Sequence, residues 1–150
     1  MAVLTRRVAA ALAVVASASA TTLLTGTAVA ADAAAPCGTA ADACIDLSGN
    51  QSWLMDGGAV TYGPVPITSG KPGYETPTGV FRVTWKDIDH RSREYDNAPM
   101  PYSVFFTNNG IAFHEGSLER QSHGCIHLSH EAARTYFDDL QPRDVVEVVE

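Results

Sequence analysis

Three histidines lie close in sequence to one cysteine near the end of this chain, in the run Phe113-His114-Glu115-Gly116-Ser117-Leu118-Glu119-Arg120-Gln121-Ser122-His123-Gly124-Cys125-Ile126-His127-Leu128. A thiol is a weak nucleophile until it loses its proton, and a neighbouring imidazole can take that proton and hold the thiolate. Gly124, directly before Cys125, lets the backbone turn sharply and leaves room for a carbonyl. Successive backbone N–H groups at such a turn can bind a developing oxyanion. Together these residues point to nucleophilic catalysis by Cys125, with His114 or His123 as the imidazole that activates it. The competing reading makes Cys125 an inert buried thiol and His114 an ordinary hydrogen-bonded histidine. A zinc hydrolase using His114, His123, Cys125 and His127 is a further class. His123 and His127 would face one way only on a helix, however, and Gly124 and the β pattern around it oppose one.

The elements that must carry these residues read as mainly β. Ile45 and Leu47 alternate with polar neighbours, Trp53 to Met55 form an apolar run, and Asp56-Gly57-Gly58 supplies a hairpin turn before Ala59 to Tyr62. Gly70, Pro72, Gly73, Pro77 and Gly79 make residues 68 to 79 a loop. A strand is expected over Val80 to Trp85, with Phe81, Val83 and Trp85 on one face, and residues 86 to 99 read as a polar surface connection. Asn109-Gly110 between Tyr102–Phe106 and Ile111–His114 is a strong hairpin signal, and it puts His114 on the face opposite Ile111 and Phe113. Ser129 is a natural N-cap for a helix with Ala132, Ala133, Tyr136, Phe137 and Leu140 on its apolar stripe and Pro142 as its stop. Val145 to Val149 read as a final buried strand.

Residues 1 to 30 read as a signal peptide. Arg6 and Arg7 precede an Ala-rich apolar stretch that ends in the small-x-small site Ala28-Val29-Ala30. Ser and Thr residues interrupt that stretch, so it lacks the roughly 20 strongly apolar residues of a spanning helix, and no stable membrane span is expected after cleavage. Residues 31 to 43 read as a flexible leader, and residues 44 to 150 as one domain. The chain has 17 acidic and 10 basic residues, net −7; without Arg6 and Arg7 the remainder carries 8 minus 17, or −9. Nucleic acid and anionic membranes are therefore poor partners. Of the three cysteines, Cys37 and Cys44 stand closest in sequence, and their pairing in an oxidising compartment would leave Cys125 free. Other pairings stay open at this stage.

Ser122-His123-Gly124-Cys125-Ile126, preceded by a strand-borne histidine, resembles the signature of the L,D-transpeptidase catalytic domain, the YkuD-like family. Asp56-Gly57, Gly70, Thr76-Pro77-Thr78-Gly79-Val80-Phe81 and the last valine strand extend the resemblance over most of residues 45 to 150. The resemblance implies a β-sandwich with one short helix after the cysteine loop, and no metal or organic cofactor. It implies a secreted enzyme at the cell wall that crosslinks peptidoglycan stem peptides through a Cys125 thioester and is open to carbapenem-type inhibitors. L,D-carboxypeptidase action, with water as acceptor, is the alternative, and a non-catalytic wall-binding module is a third reading.

By resemblance His114 is the base, oriented by the carbonyl of Glu115, while Gly124, Cys125 and His123 supply oxyanion donors and Ser122 lines the site. His127 stands where the family commonly has Asn or Arg. His127 and Tyr102 are possible substrate contacts; Tyr74, Lys71 and Arg120 are others that read equally well as loop surface. Only seven residues, 115 to 121, separate His114 from Ser122, a shorter connection than the family usually carries, which bears on the acceptor-side wall of the site.

Overall fold

A computed structural model describes residues 34–150. The expected signal segment, residues 1–30, lies outside the described residues. The first strand, β1 (Ala43–Asp46), runs antiparallel to β2 (Gln51–Asp56), which turns through Gly57 and Gly58 into β3 (Ala59–Pro66). Both turn glycines have positive φ, 56° and 90°, as a tight two-residue hairpin requires. Next come β4 (Gly79–Arg82), β5 (Trp85–Ser92), β6 (Ala98–Phe105), β7 (Ala112–Glu115), β8 (Ile126–Leu128), the helix α1 (His130–Asp139) and β9 (Val145–Val149). They form two sheets, β3-β2-β1-β9-β4 and β5-β6-β7-β8. β9 is buried between β1 (parallel) and β4 (antiparallel), which explains its nearly continuous valine sequence.

The core lies between the sheets and is closed by α1. Ile45 and Leu54 from the first sheet meet Val104, Phe113, Ile126 and Leu128 from the second, with Ala133, Tyr136 and Leu140 of the helix among them. Ser129 caps α1 by accepting from the Ala132 N–H at 3.2 Å. Tyr136 is fully buried, and its hydroxyl donates to Ser52 Oγ at 2.8 Å, tying the helix to β2. The helix C-terminus receives its cation from outside: Lys86 Nζ on β5 donates to the carbonyls of Phe137 and Leu140, both at 2.6 Å.

Three expectations change. The strand expected over residues 80–85 is broken at Val83-Thr84, where the chain leaves the first sheet and enters the second; Phe81 and Val83 pack into the core, but Trp85 leaves their shared face, is exposed and stacks on Phe105 of β6. Residues 86–99 are no surface connection, because β5 pairs with β6 along its whole length around a turn in which Asp96 and Asn97 take positive φ of 49° and 54°. As an edge strand β5 needs no apolar run, so its Asp87, Asp89 and Arg91 hid it. Residues 35–43, expected to be a flexible leader, pack down: Ala41 is buried with Trp53 and Met55, Ala43 begins β1, and Cys37 is joined to Cys44 by a disulfide.

Candidate active site

The β6–β7–β8 register sorts side chains onto two faces. β7 and β8 run parallel, with Phe113 opposite Ile126, His114 opposite His127 and Glu115 opposite Leu128. Phe113, Ile126 and Leu128 go inward to the core. His114 and His127 therefore share the outer face, as does Cys125, which packs beside Ala112, Phe105 and Met100. Cys125 is a partly exposed free thiol. All three line a cleft of about 1100 Å³.

His114 is 6% exposed, and its Nδ1 lies 2.7 Å from the carbonyl of Glu115. A carbonyl only accepts, so Nδ1 carries the hydrogen and the neutral ring keeps its lone pair on Nε2. His127 is held in the same tautomer by Ser117 O, 3.1 Å from its Nδ1, with Thr68 Oγ1 at 3.0 Å. The two rings meet edge to face, their centroids 4.9 Å apart. The Glu115 carboxylate turns away to His130 Nδ1, at 2.9 Å.

Burial pushes the His114 imidazole down from 6.5 to about 4; the Glu115 carbonyl opposes this, and nearby His127 and His90 add to it. Burial likewise raises the Cys125 thiol above its ordinary value, against the Ala112 N–H, which favours the thiolate. His127 is lowered, again chiefly by burial. At neutral pH the site therefore rests with a neutral thiol beside neutral imidazoles.

The turn before Cys125 is braced on all sides. Gly124 has φ +118°, and a Cβ there would come within 3.3 Å of Ile111 Cδ1. Ser122 Oγ donates to the Cys125 carbonyl at 2.6 Å and accepts from the Gly124 N–H at 2.9 Å. The second bond corrects the expectation for Gly124. Its N–H is already engaged by Ser122, so Gly124 serves the site by its backbone conformation and not as an oxyanion donor. Thr76, buried, donates to the Gly124 carbonyl at 2.8 Å and accepts from the Gly70 N–H at 3.0 Å.

Other expected residues scatter. His123 is stacked on Tyr95 with centroids 4.3 Å apart and meets the edge of Tyr74 at 4.7 Å, so it forms part of the wall beside the cysteine. Tyr102, a possible substrate contact by sequence, instead packs against His130 and Phe137 of the helix at 5.5 and 5.9 Å. It stands two residues from buried Val104 on β6 and so shares its inward face. Lys71 Nζ sits 5.0 Å from the Tyr74 ring centre, and Tyr74 and Arg120 line the cleft. The sequence did not single out Thr76, Thr68 and Tyr95, nor the Trp85–Phe105 stack, whose centroids are 4.2 Å apart at the far wall.

A β-sandwich that carries a free thiol and a tautomer-fixed imidazole on the outer face of one sheet defines a class of site suited to covalent acyl transfer. The family follows from comparison: the model of the L,D-transpeptidase catalytic domain, YkuD, matches residues 41–148, and the chain belongs to that family. It is 31% identical over 109 residues to "Probable L,D-transpeptidase 3" of Mycobacterium tuberculosis (strain ATCC 25618 / H37Rv), which covers 59% of this chain and 39% of that protein. A crystal structure of an L,D-transpeptidase from Stackebrandtia nassauensis superposes with a TM-score of 0.67 at 27% identity, over 72% of this chain and 54% of that one. LD transpeptidase LdtMt1 in complex with imipenem gives 0.63 at 27%, over 69% and 56%. The chain thus spans well under two thirds of the length of each of these relatives. Among the described residues no helix is long and apolar enough to cross a membrane.

Proposed function

We propose that this chain is a peptidoglycan L,D-transpeptidase working through a Cys125 thioester. One observation carries the reading: the free thiol of Cys125 shares a face and a cleft with a His114 ring whose Nδ1–H is fixed on the Glu115 carbonyl, leaving Nε2 to take a proton. In the first half-reaction Cys125 Sγ attacks the carbonyl that precedes the terminal D-alanine of a stem tetrapeptide. Its proton passes to His114 Nε2, and the C–S bond forms. As the C–N bond breaks, His114 returns that proton to the departing D-alanine amine. In the second half-reaction a side-chain amine of another stem attacks the thioester, a C–N bond forms, the C–S bond breaks and the thiol is restored. With Gly124 spent on Ser122, the backbone N–H groups of Cys125 and His123 are the donors assigned to the oxyanion. The role fits secretion to the cell wall under the signal read in residues 1–30.

Purified protein incubated with disaccharide-tetrapeptide and analysed by mass spectrometry should give a crosslinked dimer with loss of D-alanine. Tripeptide alone would mean hydrolysis, the L,D-carboxypeptidase reaction, and no change in the substrate would refute both. A relative has been seen in complex with imipenem. The same chemistry here predicts a carbapenem adduct on Cys125 in the intact mass, abolished in Cys125→Ala.

A further inference from the structure

The second half-reaction poses a proton problem that a single imidazole handles poorly. An amine of ordinary basicity, with a pKa of about 10.4 like that of lysine, arrives as an ammonium ion. It must lose one proton before its lone pair can attack and a second as the amide forms.

We propose that His127 is a second catalytic base, dedicated to the incoming amine while His114 serves the thiol; this rests on the acyl-transfer reading above. Four observations converge on it. His127 stands two residues beyond Cys125 on the same face, roughly 7 Å along an extended strand, and lines the same cleft. Its Nδ1 is anchored on Ser117 O and Thr68 Oγ1, so the lone pair is on Nε2. The ring is held in place from two sides. Its edge contact with His114 is one, and Gly116 is the other: a Cβ there would come within 2.5 Å of the ring. Finally, burial keeps the imidazole neutral at pH 7, so it offers a lone pair and adds no charge beside His114.

The step balances as follows. The ammonium first gives one proton to His127 Nε2; the amine holds that proton more tightly than a buried imidazole does, so the transfer is uphill and the attack that follows draws it forward. The nitrogen lone pair forms the C–N bond, and the C–S bond breaks as the intermediate collapses. The second proton passes to His114 Nε2 and on to the thiolate, restoring the thiol. His127 releases its proton to water in the open cleft. Thioester and ammonium thus become amide, thiol and one proton.

His127→Asn separates this role from packing. The asparagine amide nitrogen can replace Nδ1 and keep the bond to Ser117 O, with nothing at the Nε2 position. With the full chain acylated by disaccharide-tetrapeptide, the ratio of aminolysis to hydrolysis is measured for two acceptors, a basic side-chain amine and hydroxylamine, which is largely unprotonated at neutral pH. H127N should lower the ratio about tenfold or more for the basic amine. For hydroxylamine the ratio should move by less than about twofold, since that nucleophile has no surplus proton to shed. An unchanged ratio with the basic amine, or an equal loss with both acceptors, overturns the proposal. If wild-type protein forms no acyl-Cys125 at all, it is the acyl-transfer reading that fails. Should H127N not fold, H127Q, whose amide reaches the Nε2 position without the basicity of an imidazole, faces the same two acceptors and the same criteria.

Discussion

His114 is buried as a neutral ring, and that burial makes stability depend on pH. Its imidazole titrates near 6.5 when unfolded and is pushed to about 4 in the fold. Between those values the unfolded chain binds a proton that the native chain refuses. Stability is therefore fully present above pH 6.5 and falls as the pH drops towards 4. From 6.5 to 4.5 the loss covers two units at about 1.36 kcal/mol each, about 2.7 kcal/mol, which partial protonation of the native ring near 4 reduces to about 2.5 kcal/mol from this residue alone. The groups that face the ring are His127 and His90, which oppose its protonation, and the Glu115 carbonyl and carboxylate, which favour it. His127 contributes in the same direction, and so do the lowered carboxyls of Asp46 and Glu75, so wild-type protein alone cannot isolate the effect. The discriminating measurement is urea unfolding of wild type and His114→Gln at pH 7.5 and at pH 4.5. The variant can start out less stable, but its loss between the two pH values should be smaller by about 2.5 kcal/mol. Equal losses in the two proteins would show that His114 is not held neutral by burial, and the argument for a neutral resting site would go with it.

Thr76→Val keeps the side-chain shape while removing a hydroxyl that satisfies both Gly124 O and Gly70 N–H. Two unpaired groups should cost about 2–4 kcal/mol in urea unfolding, and looser placement of Cys125 should slow its acylation in a stopped-flow assay. Replacing Cys37 and Cys44 together by Ala opens a short loop. It should lower stability by about 2 kcal/mol, read by thermal unfolding, while Cys125 stays reactive to iodoacetamide because the disulfide lies at the other sheet.

What could be read from the sequence follows the range of the interactions. His114 and Cys125 were recognisable because the alternation along β7 separates His114 from Phe113, and because Gly124 marks a turn by composition alone. Ser129 and Pro142 bounded the helix by chemistry local to its ends. Thr76 and Thr68 were not recognisable, because their partners in the site lie 48 or more positions away and a threonine in a loop carries no mark of what it will meet. β5 escaped for a different reason: strand signals depend on a buried face, and an edge strand over solvent has little of one. Tyr102 was misplaced because its hydroxyl suggested a polar contact, while the partners that hold its ring, His130 and Phe137, lie on the helix far along the chain.

The braces around Cys125 have a common cause in the topology. Parallel neighbours normally need a crossover of roughly a dozen residues or more, usually helical. β7 and β8 are joined by residues 116–125, ten residues without a helix. A connection that short has no packed element to hold it, so its carbonyls and turns must be satisfied from outside. Thr68 Oγ1 lies 2.8 Å from Ser117 O and 3.2 Å from Arg120 O, the Ser122 N–H reaches the Ser69 carbonyl at 2.9 Å, and Thr76 closes on Gly124. Segment 68–76 thus replaces the crossover helix, and it fixes the cysteine turn and the His127 ring in one network. Rigidity there matters because the resting site is neutral. Charge appears only as bonds change, and donors that stabilise it act without reorganising only if the turn that carries them is already in place.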